Sequence, residues 1–289
     1  MKKTIILLSA IIGLTACTEK MRFDAVEGER LVGVSASVTD EYIRHEVILS
    51  FTEPFYGGSP EMISNAIVFV VDDLDTVWYE ESDMPGYYYS QNEYAGVPNH
   101  NYHLSIDFND DNGSHHFYSE STMNENVEQI DSIRVKPFVF NALEIKDMLG
   151  VYPYFQTTDN PKTYYMTRVK INGKDIGGDT LTICSLFETY GYAGIYFNGP
   201  FMASIAGEFP VEGLNQLDSL QVLHPGDTVT MDLWSIPRDY AHYISEIASS
   251  AGTNPMMGTP SNVRTNIYPE GKAVGCFHAS SLRQCSVIY

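Results

Sequence analysis

Asp107, Asn109 and Asp111 alternate in "DFNDDNG" as the first ligands of an EF-hand loop do, with oxygen donors at every second position able to converge on calcium. The match stops there. Gly113 falls one place late, and the twelfth position is Tyr118 where a bidentate Glu is needed. The stretch reads instead as an acidic hairpin tip, with Asn112-Gly113 supplying positive φ. Histidines flank it. If the strands on either side pair, His103 comes near His115 or His116, and with one acid such a set could hold a transition metal. His115 and His116 point to opposite faces of a strand, so only one can join. Solvated strand histidines are the simpler reading. No metal or cofactor is therefore expected, and Asp107, Asn109, Asp111, His103 and His115 are the nearest candidates.

Nucleophilic and nucleotide chemistry leaves no trace. There is no G-x-S-x-G elbow, no Walker loop and no G-x-G-x-x-G. Cys184 in "LTICSLF" has apolar neighbours and reads as core. A hydrolase with paired carboxylates would need them in one cleft, and 37 acids do not by number locate such a pair. No catalytic residue is assigned, and a non-enzyme is expected. The tyrosines, 20 of them, offer more. Tyr87, Tyr88, Tyr89 and Tyr94, with Tyr190, Tyr192 and Tyr196 in "FETYGYAGIYF", place aromatics beside glycines in expected loops. Aromatic loops on a β scaffold suit recognition of sugars, peptides or partner loops. Packing between two domains is the competing explanation.

The N-terminus carries an address. Lys2 and Lys3 precede an apolar run from Ile5 to Leu14, too short to span a bilayer but laid out as an export signal. It ends in Leu14-Thr15-Ala16-Cys17, which resembles the bacterial lipobox. Residues 1–16 are then a lipoprotein signal peptide, Cys17 is the acylated first residue, and 17–29 form a polar tether. Two or more acyl chains hold a protein stably on a membrane it does not cross. The full chain has a formal charge of −20, and without Lys2 and Lys3 it is −22. That argues against nucleic acid and against lying flat on anionic lipid. Cys276 and Cys285 could face each other across a terminal hairpin, and free thiols are an equal alternative.

Hydropathy alternates with period two from Arg30 onward. "LVGVSASVTD", "HEVILSFTEP", "NAIVFVVDDLDTVWYEE", "GYYYS", "HNYHLSIDF" and "SHHFYSESTM" give strands without an intervening helix, hence a β-sandwich over 30–125. A second β-rich region covers 126–289. It has a strand in "TYYMTRVKING" turning at Asn172-Gly173, another after Pro225-Gly226, and a last stretch in "KAVGCFHASS". One helix is expected near 236–250, with Ser235 as N-cap, Pro237 and Asp239 in its first turn, Tyr240, Tyr243, Ile244 and Ile247 on its apolar face, and Gly252 at its end. The fold class is thus mainly β, a sandwich packed on a second β region with one C-terminal helix.

The helix followed by "TNPMMGTPSNVRTNIYPEGKAVGCFHASS" resembles the C-terminal signature of a Bacteroidota lipoprotein family, domain of unknown function 4249. Asn254-Pro255, Pro260, Asn262, Asn266-Ile267, Gly275, Phe277 and Ser280 fall in step with it. Met256 stands where Phe is common, and Cys276-Phe277-His278 where a Phe-Gly pair is typical. The order of the front strands agrees too. The resemblance implies an immunoglobulin-like or prealbumin-like sandwich and an outer-membrane lipoprotein facing the surface or the periplasm. It implies as partner a TonB-dependent receptor, for which the protein captures a ligand or which it caps. A structural or adhesive surface protein is the alternative.

Overall fold

The computed structural model describes residues 30–53, 59–73, 75–140, 145–158, 163–175, 185–188, 196–197, 201–206, 223–251 and 263–289. Seven strands precede residue 125: β1 (Val32–Thr39), β2 (Glu46–Phe51), β3 (Ile67–Val71), β4 (Thr76–Glu81), β5 (Tyr87–Ser90), β6 (Asn101–Asp110) and β7 (Gly113–Thr122). After them come β8 (Ser132–Phe140), β9 (Ile145–Gln156), β10 (Tyr164–Ile171), β11 (Lys174–Asp175), β12 (Ser185–Glu188), β13 (Tyr196–Phe197), β14 (Phe201–Ala206) and β15 (Thr228–Ile236). Helix α1 (Arg238–Ala251) and β16 (Ala273–Ile288) complete the described chain. The protein is mainly β, as its alternating sequence requires.

The strands of both regions share one hydrogen-bonded sheet in the order β11-β10-β15-β16-β1-β2-β5-β4-β3-β6-β7, with β12 also on β10. A second sheet is β13-β9-β14, with β8 on β9. Val32, Val34, Ala36 and Val38 of β1 point into a first core with Val47, Leu49, Tyr102, Leu104, Ile106 and Phe108. Alternation in each strand supplies this face, because successive side chains point to opposite sides. A second core packs Val229, Met231 and Leu233 of β15 and Val169 and Ile171 of β10 against Ile133, Val151 and Phe155.

Strand β16 pairs with strands from both sides of residue 125. Its residues 273–280 run parallel to β1, and 281–288 run antiparallel to β15. Phe277 and Ala279 thereby join the first core, and Cys285 and Val287 pack on the second. The linker is tied to the sheet where β16 changes partners. Asn126 Nδ2 donates to Leu233 O at 3.0 Å and Ser281 O at 2.7 Å, and Asn124 Nδ2 donates to Ile236 O at 3.0 Å.

Three local expectations change. Cys276 and Cys285 lie nine residues apart on one extended strand, roughly 30 Å at 3.3 Å per residue, so no terminal hairpin brings them together. Both are free thiols. Ser235 is not the helix cap, because β15 runs on to Ile236 and the Ser235 hydroxyl donates to Glu125 O at 2.8 Å. The first helical bond is instead Ala241 N–H to Pro237 O at 3.1 Å. The helix buries Tyr240, Ala241 and Ile244 against Met166, Ile236 and Cys276, a third core on the outer side of the sheet. At the β6–β7 hairpin the two turn residues are Asp111 and Asn112, and Gly113 already opens β7 opposite Asp110 with φ 122°. Cys184 and Gly252 lie outside the described residues. No helix among the described residues is long and apolar enough to cross a membrane.

Candidate functional site

The cross-strand register of β6 and β7 decides the histidines. His103 stands opposite Glu120, and His116 opposite Asp107. The expected approach of His103 to His115 or His116 does not occur, because four residues of strand separate the pairs. His116 Nδ1 meets Asp107 Oδ1 at 2.7 Å, His115 Nε2 meets Asp110 Oδ1 at 2.8 Å, and His103 Nδ1 lies 3.2 Å from Glu120. The hydrogen bond from His115 holds the Asp110 carboxyl below the usual carboxylate range. Asn109 Oδ1 accepts from Ser114 at 2.6 Å, and Asn112 N–H donates to Asp110 Oδ1 at 2.7 Å. Asp111 sits exposed at the turn. The acidic tip is occupied with its own hairpin, and among the described residues no three His, Cys, Asp or Glu side chains form a metal-holding group.

The aromatic candidates divide. Tyr88 is 1% exposed in the first core, where its hydroxyl donates to Ile63 O at 2.8 Å and accepts from Ala66 N–H at 2.9 Å. Tyr94 packs edge-on against His45, and its hydroxyl lies 3.0 Å from that of Tyr79. Burial pushes the pKa of both the Tyr94 and the Tyr79 hydroxyl up, the latter to about 12. Tyr88 thus belongs to the first core, and Tyr94 is half-buried against it. Tyr88→Phe is expected to lower stability by about 1–2 kcal/mol, since the Ala66 and Ile63 groups lose their partner; urea unfolding measures it. Tyr87 and Tyr89 occupy the other face of β5, where the Tyr89 hydroxyl donates to Glu46 Oε2 at 2.5 Å. Tyr190, Tyr192 and the side chain of Tyr196 lie outside the described residues.

A different pair of tyrosines forms the site. On β7, Phe117, Ser119 and Ser121 face inward, so His116, Tyr118, Glu120 and Thr122 must face out. Tyr268 docks beside this strand through two backbone bonds, Tyr118 N–H to Tyr268 O at 3.0 Å and Tyr268 N–H to Tyr118 O at 2.8 Å. The side chain of Asn266 fixes the approach by bonding both the N–H and the carbonyl of Phe277, at 3.0 and 2.7 Å. The rings of Tyr118 and Tyr268 stack with centroids 5.4 Å apart at 18°, and the residues are 46% and 47% exposed.

They line a cleft of about 1050 Å³ between the outer face of β7 and the start of α1. Glu120, Thr122 and Asn101 continue its floor, and Arg238, Asp239 and His242 form the helix wall. Its volume lies at the top of the range of roughly 300–1,000 Å³ usual for ligand pockets. Stacked aromatic faces bounded by carboxylate, amide and guanidinium groups can bind a ligand that is flat or polyhydroxylated on one side and hydrogen-bonding at its edges. Tyr118 was legible as an outward residue of an alternating strand. Nothing in the sequence joins it to Tyr268, 150 residues away.

Fold and site define a mainly β protein with an aromatic cleft on an outer strand face. The chain belongs to the family described as Domain of unknown function (DUF4249), whose model matches residues 18–285. No curated protein sequence matches it. Among solved structures, the chicken CNTN1 FN1-FN3 domains are similar at 11% identity with a TM-score of 0.24, over 74% of this chain. The match spans 65% of the length of that structure.

Proposed function

We propose that this protein is an outer-membrane lipoprotein, anchored through acylated Cys17, that binds a ligand without chemical turnover and serves a TonB-dependent uptake receptor. The observation that carries the binding role is the cleft of about 1050 Å³ with its two half-exposed stacked tyrosines. The address rests on the Lys2-Lys3, apolar run and Leu14-Thr15-Ala16-Cys17 pattern, and the partner on the resemblance to Bacteroidota lipoproteins. Acidic charge keeps such a protein dispersed on a crowded envelope.

The test is a pull-down from detergent-solubilised outer membrane with the lipidated protein as bait, read by mass spectrometry. A TonB-dependent receptor should be retained, and Cys17→Ser should move the protein from the membrane to the soluble fraction. Retention of an adhesin or fibre subunit with no receptor would sink the uptake role. It would favour the structural reading, for which Ile67 and Trp78, exposed on the outer face of β3 and β4, supply an apolar contact patch.

A further inference from the structure

Strand pairing draws a row of side chains across the outer face of the sheet, and the row runs into the cleft. Trp78 of β4 pairs with Phe69 of β3, Phe69 with Ser105 of β6, Ser105 with Tyr118 of β7, and Tyr118 with Tyr268. All five face outward, because the residues that alternate with them, Tyr79, Val68, Leu104, Phe117 and Ile267, fill the first core. The Phe69 and Trp78 ring centroids lie 4.9 Å apart, and those of Tyr118 and Tyr268 5.4 Å. Trp78, Tyr118 and Tyr268 are each half-exposed. Four steps of about 4.8 Å from one chain segment to the next make the row roughly 19 Å long. Tyr118 and Tyr268 already line the cleft, so row and cleft are one continuous surface.

Polar pairs border the row on both sides. Two residues along the strands, Asp107 stands opposite His116 on one side, and His103 stands opposite Glu120 on the other. Each imidazole turns Nδ1 to its carboxylate, and among the described residues neither Nε2 has a protein partner. All four side chains are 42–69% exposed. The strip is therefore aromatic along its middle, with donors and acceptors along both margins.

Given the cleft as a ligand site, on which this reading rests, we propose that row and cleft together bind one extended, neutral polysaccharide chain. The chain lies across the row from Trp78 to Tyr268, and its end enters the cleft. A pyranose ring presents apolar C–H groups that pack on aromatic side chains, and hydroxyls at its rim that reach the carboxylates and imidazoles. An acidic chain is disfavoured by Asp107, Glu120 and the formal charge of −20. A protein partner is disfavoured by the width of the strip. A stable interface covers about 800 Å² per partner around an apolar centre, whereas this row is one side chain wide and interrupted at Ser105. A protein would also have to desolvate both imidazole–carboxylate pairs, which a hydroxylated chain can hydrogen-bond. Successive strands rotate by roughly 20–25°, so the row winds by about 80–100° over its length. That suits a single pliable chain and not the flat face of a crystalline fibre.

The experiment uses the full chain in detergent. Native gels are cast with glycogen, galactomannan, arabinoxylan, laminarin or hydroxyethyl cellulose, and with polygalacturonate as the acidic control. At least one neutral polymer should retard the protein, and polygalacturonate should not. Oligosaccharides of that polymer are then titrated. Affinity should rise at least about tenfold from disaccharide to hexasaccharide. The emission of Trp78, read as the difference between the parent and Trp78→Phe, should respond to the hexasaccharide alone. Trp78→Ala and Tyr118→Ala, melting like the parent, should each weaken hexasaccharide binding at least about tenfold. Should a variant fail to fold, the length dependence decides alone, and equal affinity for disaccharide and hexasaccharide overturns the row. Binding lost in Tyr268→Ala but kept in Trp78→Ala likewise overturns the row while leaving the cleft as a ligand site. Retardation by none of the neutral polymers, or equal retardation by polygalacturonate, overturns the neutral-polysaccharide assignment.

Discussion

Gly275→Ala should destabilise the protein by about 3 kcal/mol or more, an effect at the upper end for a single substitution. Gly275 has φ 101°, a region that side chains rarely adopt, and a Cβ there would overlap the carbonyl oxygen of Val34. Val34 is its register partner in β1. The obstacle is backbone, so no rotamer change can relieve it. Relief requires parting β1 from β16, and that pairing is what brings Phe277, Ala279 and Ala273 into the first core. Urea unfolding followed by far-UV circular dichroism measures the change. Gly173→Ala is the matched control: its φ is also positive, at 79°, but nothing lies within 4 Å of an added Cβ. It should cost only the conformational strain, about 1 kcal/mol. Equal costs at the two positions would show that the close approach of β16 to β1 is not what demands glycine.

Acid should destabilise the fold earlier than its carboxylates require. His45 is 1% exposed, with Nε2 3.0 Å from Tyr94 O, and burial pushes it down to about 4. His278 lies under Tyr240, with ring centroids 3.6 Å apart, and burial pushes it down to about 3. Both rings are neutral when folded and take a proton when unfolded. Between their folded values and the ordinary 6.5 the unfolded chain binds more protons, so this stability is full above pH 6.5 and is lost as pH falls toward 4 and 3. At about pH 4.5 the two together remove roughly 3–4 kcal/mol, discounted because the edge of His278 keeps some exposure. Glu41 works the other way, since burial and the neighbouring Asp232 and Asp40 raise its carboxyl. Thermal melts across this range should show Tm falling from pH 6.5 downward, and the imidazole resonances of His45 and His278 should stay unprotonated at about pH 5. Ordinary titration of either ring near 6.5 would refute the assignment for that residue.

The elements themselves were legible because burial imposes a period. Val32 to Val38, Val47 with Leu49, and Tyr102 to Phe108 announce their strands by alternation alone. Asn172-Gly173 announces its turn by needing positive φ, found at 50° and 79°. The helix announces its face through Tyr240 and Ile244. Its start differs because Ser235 is a good cap by type, yet the strand before it continues one residue further, to Ile236, and uses that hydroxyl to hold Glu125.

What the sequence by itself determined is therefore local: which residues alternate, and where glycine or asparagine must turn. Only the tertiary structure decided the rest, and the reason is that pairing register is a long-range choice. One strand, β16, serves two bodies, which no local pattern records. The same pairing sets His103 apart from His116, sends Tyr88 into the core, and stacks Tyr268 on Tyr118. Alternation says that a side chain faces out; only strand pairing says what it faces.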